Sequence, residues 1–246
     1  MPDGLFKYFP TDEDKLERFT NGQVYLTPPK YFNDPWDFLV RCESYTEQTL
    51  PPGFGFMKED AASPDFLMSE SSELQDGLSA QVGVISLAEE PLDRLMWAHY
   101  GESHRGFVAE FWHSDEGTSE AGFRLCRSPF EAAVKVDYQP TQPVLKRDTS
   151  NMEEVVLTKH SDWKHEKEWR VIQALNTGDP HPKRKGFVLV RFKPAHLLRV
   201  IFGLRVSPKV KFQLKQMLHG REFEHVLKEE VYIDPSSSEL KSRPLS

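Results

Sequence analysis

The spacing of apolar and polar positions changes repeatedly along the chain, and each change marks an element. Residues 5–9 read as a short strand. Thr11 with Asp14 three positions on resembles a capping box and predicts a helix over 12–19, stopped by Asn21-Gly22. A strand follows at 24–26; Pro28-Pro29 breaks it, and Asn33-Asp34-Pro35 predicts a turn whose side chains bond their own backbone. Further strands are predicted over 82–87, 106–111, 132–138, 171–175, 186–192 and 198–202, with a last edge strand at 231–233. Helices are predicted over 91–100, with Pro91 in the first turn, over 152–160, and from Ser207-Pro208 to Gly220.

Residues 43–80 keep no period. They hold Pro51-Pro52-Gly53-Phe54-Gly55-Phe56 and a helical pattern from Pro64 to Asp76, and read as an irregular insertion or lid. The Ser-rich stretch after Pro235 reads as a disordered tail over 237–246. The many short strands and few scattered helices do not alternate as in a doubly wound fold. The expected fold class is α+β: a single domain over 1–236, with a strongly bent mixed β-sheet and flanking short helices.

Composition narrows the function classes. Of 246 residues, 38% are hydrophobic and 17 are Phe, which supplies a packed core. The net charge of −7 argues against a general nucleic-acid coat. The basic run Lys183-Arg184-Lys185 sits between Pro and Gly and reads as a solvated loop. Two cysteines, Cys42 and Cys126, make no disulfide framework, and no CxxC spacing suggests zinc. Met-Pro-Asp-Gly-Leu-Phe lacks a basic and apolar leader, and no run of eighteen apolar residues occurs, so the expectation is a cytoplasmic protein without a membrane span.

The densest chemistry lies in Asp162-Trp163-Lys164-His165-Glu166-Lys167-Glu168-Trp169-Arg170-Val171-Ile172. Period-two alternation from Glu166 predicts a strand with Glu166 and Glu168 on one face, about 7 Å apart. Carboxylates that close raise at least one pKa, which suits acid–base or cation-stabilising work. The plainer alternative is an exposed strand with salt-bridged charges. A second cluster runs from Leu95 through Met96, Trp97, His99 and Tyr100 to His104-Arg105-Gly106. His99 and His104 suggest metal ligands, but no third ligand is evident and hydrogen-bonded core histidines fit better, so no metal site is assigned. A third cluster is Tyr31-Phe32-Asn33-Asp34-Pro35-Trp36-Asp37, where Asn33 and Asp34 could simply cap, and a fourth is Lys7-Tyr8, where Tyr8 could simply pack. Together they make the walls and hooks of a pocket for a flat, polar ligand.

In this order, Lys7-Tyr8, Asn33-Asp34-Pro35-Trp36-Asp37, Met96-Trp97-Ala98-His99-Tyr100, His104-Arg105-Gly106-Phe107 and Trp163-Lys164-His165-Glu166-Lys167-Glu168-Trp169-Arg170 resemble a widespread bacterial family, domain of unknown function 2971. The chain departs from the usual pattern with Trp36 for Phe, Gly101 for Ala and His165 for Tyr. The family is a grouping rather than an activity.

Three functional readings remain. In the first, the layout looks like that of ADP-ribosyltransferases by analogy, with NAD as candidate substrate. Lys7 and Tyr8 grip the ligand, Trp97, His99 and Tyr100 form an aromatic wall, and Glu168 or Glu166 stabilises the charge as nicotinamide leaves. Arg170 or Arg105 holds a phosphate, with Asn33, Asp34, His104 and Trp163 completing the pocket. Lys7 stands where Arg or His is expected, and no Ser-Thr-Ser segment appears. The second reading is a metal-dependent nuclease using Asp34, Asp37, Glu166 and Glu168. The third is a non-enzymatic ligand-sensing or interaction module, serving in defence against phage.

Overall fold

The computed structural model describes residues 4–38, 41–42, 64–113, 129–146 and 150–245. The segment 43–63, with its Pro/Gly/Phe run, and Cys126 lie outside them. An eight-stranded mixed sheet runs in the order Leu240–Pro244, Leu227–Ile233, Leu197–Phe202, Phe107–Trp112, Gly4–Phe9, Val82–Ala88, Glu168–Ala174 and Val134–Lys135. Neighbours are antiparallel except Leu197–Phe202 with Leu227–Ile233, whose parallel pairing needs the crossover supplied by the helix Pro208–Met217. The class is α+β, as expected.

Phe107–Trp112 is central because Phe107, Val108, Ala109 and Phe111 are buried on both of its faces. One face meets a Phe-rich core: Phe9 stacks on Phe107 at 4.8 Å, Phe19 tilts against Phe107 at 4.9 Å, and Phe111 stacks on Phe130 at 3.9 Å. The other face packs Phe6, Tyr8, Met96, Trp97 and Ile201. This accounts for the heavy use of Phe, whose rings fill both layers.

The sheet forks where the site forms. Gly4–Phe9 pairs along all its residues with Phe107–Trp112, but meets Val82–Ala88 at the single pair Phe6–Ala88. Val82–Ala88 instead follows Glu168–Ala174 from end to end, and Val84 bridges Thr27. Thr27 continues Gln23–Leu26, which belongs to a second sheet with Val188–Arg191 and Asp179–Pro180. The diverging strands leave a wedge between two rigid edges.

Several expected elements differ. The helix predicted over 152–160 is Met152–Leu157 followed by the strand Thr158–His160, which pairs in parallel with Asp137–Gln139. The strand predicted over 132–138 divides between Val134–Lys135 and Asp137–Gln139, in different sheets. The first helix is capped by Asp12, which accepts from Lys15 N at 3.0 Å, while the Thr11 backbone N–H donates to Glu102 at 2.7 Å. The third begins at Arg94, capped by Asp93. Pro64–Gln81 is one helix of 18 residues. The expected tail is a strand: Leu240–Pro244 pairs with Leu227–Ile233, so the latter is not an edge. Its serines make a turn rather than disorder, because Asp234 Oδ1 accepts from Ser236 N and Oγ at 2.8 and 2.7 Å. Among the described residues no helix is long and apolar enough to cross a membrane.

Phe107 is fully buried between Phe9 and Phe19. Phe107→Ala should therefore cost about 3–5 kcal/mol in urea-unfolding measurements. A loss well under 1 kcal/mol would contradict this packing.

Candidate functional site

The wedge between Gly4–Phe9 and Val82–Ala88 opens into a cavity of about 550 Å³. Lys7 and Tyr8 enter from one strand, and Ser86 and Ala88 from the other. Asn33 and Asp37 enter from the turn after Tyr31, His99 and Tyr100 from the end of the helix Arg94–His99, and Lys159, Glu166 and Glu168 from the segment beyond.

Lys7 shares a strand face with Leu5 and Phe9, which are core positions. Its ammonium donates to Ser86 O at 3.2 Å, spanning the fork. Burial, helped by repulsion from Lys15 and opposed by Glu168, lowers its pKa to about 8. Tyr8 donates its hydroxyl to Glu90 O at 2.7 Å and sets its ring edge-on to Trp97. Burial pushes the phenol far above its ordinary pKa, so it stays protonated.

Behind the cavity lies a dry charge network. Lys159 Nζ contacts Glu166 Oε2 at 2.5 Å, Glu168 Oε2 at 2.9 Å and Asp37 Oδ2 at 3.5 Å. Arg170 is fully buried, with Nη2 on both Asp37 oxygens at 2.8 and 2.6 Å and Nε on Glu168 Oε1 at 3.0 Å. Its guanidinium faces the Phe38 and Phe32 rings at 4.9 and 5.9 Å, and Nη1 donates to Val156 O. Two positions of positive φ shape the network: Phe38 at 62° after Asp37, and Lys167 at 44° between the two glutamates. The expected geometry is corrected here. Glu166 ends the 3-10 helix Ser161–Glu166 and Glu168 opens a strand, so the left-handed Lys167, not strand alternation, turns both carboxylates onto Lys159.

The two glutamates then part in character. Burial costs Glu168 its charge less than Arg170 and Lys159 return, so its pKa is held well below the usual carboxylate range. Three of its roughly four acceptor sites are taken, by Arg170 Nε, Arg170 Nη2 and Lys159. Glu166 is raised, because burial and the Glu168 charge outweigh Lys159. Among the described residues it accepts only from Tyr100 OH, at 2.5 Å on Oε1, and from Lys159. Asn33 Nδ2 donates to Tyr100 OH at 3.0 Å, and burial beside Glu166 keeps that phenol protonated.

Several predicted residues sit elsewhere. Trp97 is fully buried behind the wall, with Nε1 donating to Pro91 O, and His104 stacks on it at 6.0 Å. Arg105 is exposed and Arg170 is buried in the network, so neither lines the cavity. Trp163 lies outside it over the Lys159 ammonium, and Asp34 accepts from Trp36 N as a turn cap. His104 and Arg105 belong to a loop in which Glu102, Ser103 and His104 have φ of 50°, 54° and 68°. Three successive left-handed residues are costly. The loop is pinned by Glu102 to Thr11, by Gly106 N to Gly101 O, and by Arg205 N to His104 O. Gly106 fits where a Cβ would fall 1.9 Å from Phe9 O. This second cluster therefore places His99 and Tyr100 rather than supplying its own ligand. Among the described residues no group of three or more His, Cys, Asp or Glu is arranged to hold a metal ion; Lys159 stands between the three carboxylates. Lys159 and Lys15 escaped the sequence reading. A lysine two residues after the apolar run Val155-Val156-Leu157 was the available signal for the first.

Arg170→Met would leave the three buried carboxylates Asp37, Glu166 and Glu168 with one cation, Lys159, between them. The expected cost is about 3–5 kcal/mol near neutral pH by chemical denaturation. Glu168 is depressed in the folded protein, so it stabilises above the unfolded pKa and that gain is lost as pH falls. The variant, whose carboxyls take up protons instead, should lose less on acidification, so the gap should narrow. A cost that is small or independent of pH would refute the network.

No curated protein and no solved structure matches the chain. A family model does match residues 96–171, from the helix that places Tyr100, through Lys159, Glu166 and Glu168, to Arg170 and Val171. Over this segment, about a third of its length, the chain is similar to the family described as Protein of unknown function (DUF2971), and the matched segment holds every member of the charge network except Asp37.

Proposed function

We propose that the cavity binds a nucleotide-like small molecule, with NAD the leading candidate, and that the chain is a transferase-type enzyme using Glu166 as its acid–base or charge-stabilising group. One observation carries the reading: Glu166, with about two acceptor sites uncommitted among the described residues, faces the same cavity as Tyr100, Asn33, His99 and Lys7. A volume of about 550 Å³ suits a drug- to nucleotide-sized ligand.

The chemistry follows from the environment. A carboxyl raised by burial exchanges protons closer to neutral pH than an ordinary glutamate. In its ionised form Glu166 would stabilise positive charge developing on a ribose as a leaving group departs. Tyr100 and Asn33 fix its orientation, so little reorganisation is needed at the moment of reaction. Glu168 serves as the anchor that holds Lys159 and Arg170.

A second reading, a non-enzymatic ligand sensor, draws support from the same network. Lys159 and Arg170 give each of the three carboxylates an internal ion-pair partner without a reactant.

The deciding experiment incubates the purified chain with NAD and quantifies free nicotinamide by chromatography. The transferase reading predicts turnover that Glu166→Gln lowers by about 100-fold or more with the melting temperature little changed. Binding without turnover supports the sensor. Turnover indifferent to Glu166→Gln removes the assigned role.

A further inference from the structure

The cavity holds two cations of a different kind from Lys159. Lys7 rises from the strand Gly4–Phe9, and Lys15 from the first turns of the helix Glu13–Thr20. Lys159 is held by three carboxylates. Neither Lys7 nor Lys15 has a carboxylate within 4.0 Å among the described residues. Lys7 has one neutral carbonyl, Ser86 O. Asp12 and Asp14 attract Lys15 from a distance, but Asp12 is committed to capping the helix and Asp14 to Tyr25, His181 and Arg184. The nearby Glu102 accepts from Thr11.

We propose that Lys7 and Lys15 form an anion subsite in this cavity that takes the phosphate of a nucleotide ligand; this rests on the reading of the cavity as a nucleotide site, though not on catalysis there. Burial in one hollow disfavours the charge on both lysines, and at Lys7 repulsion from Lys15 adds to that cost. A phosphate between them removes both penalties and accepts charge-assisted hydrogen bonds from both. Lysine suits the task as a compact point charge on a flexible stem. Arg170, the sequence candidate for a phosphate, is unavailable because Asp37, Glu168 and Val156 take its donors. The subsite also gives a reason for a lysine at a core-facing strand position, where an aliphatic residue would pack without penalty.

The test is calorimetric titration of the full chain with AMP, adenosine and inorganic pyrophosphate. AMP and pyrophosphate should bind saturably, and adenosine at least about tenfold more weakly than AMP. Lys7→Met and Lys15→Met should each weaken AMP by about tenfold or more while leaving adenosine unchanged. Lys7→Arg, which keeps the charge, should retain AMP binding and guards against a packing artefact. Equal affinity for AMP and adenosine, or unaltered AMP binding by both Met variants, overturns the subsite. A second readout is the pH titration of isotopically methylated lysines. The Lys7 signal, titrating near 8 in the free protein, should move to higher pH with pyrophosphate, because an anion favours the protonated amine. An unmoved signal overturns the proposal. Anion binding with no nicotinamide release leaves the subsite standing and removes only the transferase reading; turnover without anion binding does the reverse.

Discussion

A single ammonium group joins two distant parts of the chain, the turn that holds Asp37 and the segment from Lys159 to Glu168. Lys159 Nζ meets Asp37 from the turn after the first strands, Glu166 from a 3-10 helix and Glu168 from a sheet strand. Buried charges are tolerated only when paired, so these segments must converge to fold at all. Arg170 completes the balance from behind. The arrangement also decides which carboxylate remains adaptable: the one farther from Arg170, Glu166, is raised, and the one bound to it, Glu168, is depressed.

The fold supplies the opening that this cluster faces. Because Gly4–Phe9 and Val82–Ala88 share one pair and then diverge, a hollow forms inside a sheet whose central strands are largely buried. Around it the backbone adopts left-handed conformations at Phe38, at Lys167 and at the run Glu102 to His104. Such conformations persist only where the surroundings impose them, and they gather at sites whose side chains must be aimed. Here each borders a residue of the network or the helix end that presents Tyr100.

Much of this was legible in the sequence, for identifiable reasons. Short apolar runs located strands such as Gly4–Phe9, Val82–Ala88 and Leu197–Phe202, because a strand covered on both faces reads as a nearly continuous apolar run. Aromatic and polar residues clustered at element ends pointed to Lys7, Asn33, Tyr100 and Glu166, and the wedge gathers these four into one hollow. Lys159 was hidden because its segment looks helical; its position depends on a parallel pairing with Asp137–Gln139 that no local pattern encodes. Arg170 looked like a ligand contact because an arginine between Trp169 and Val171 does not reveal whether it faces water or buried acids. The Ser-rich end looked disordered because loop and hairpin-turn compositions coincide.

The account turns on Lys159 tuning Glu166, and the direct measurement is the pH titration of the Glu166 carboxyl carbon by NMR, in the wild type and in Lys159→Met. The wild-type group should titrate above the ordinary glutamate range, and removal of the ammonium, the main influence lowering it, should move it higher still. A Glu166 that titrates as an ordinary exposed glutamate, or that ignores the loss of Lys159, would contradict the account.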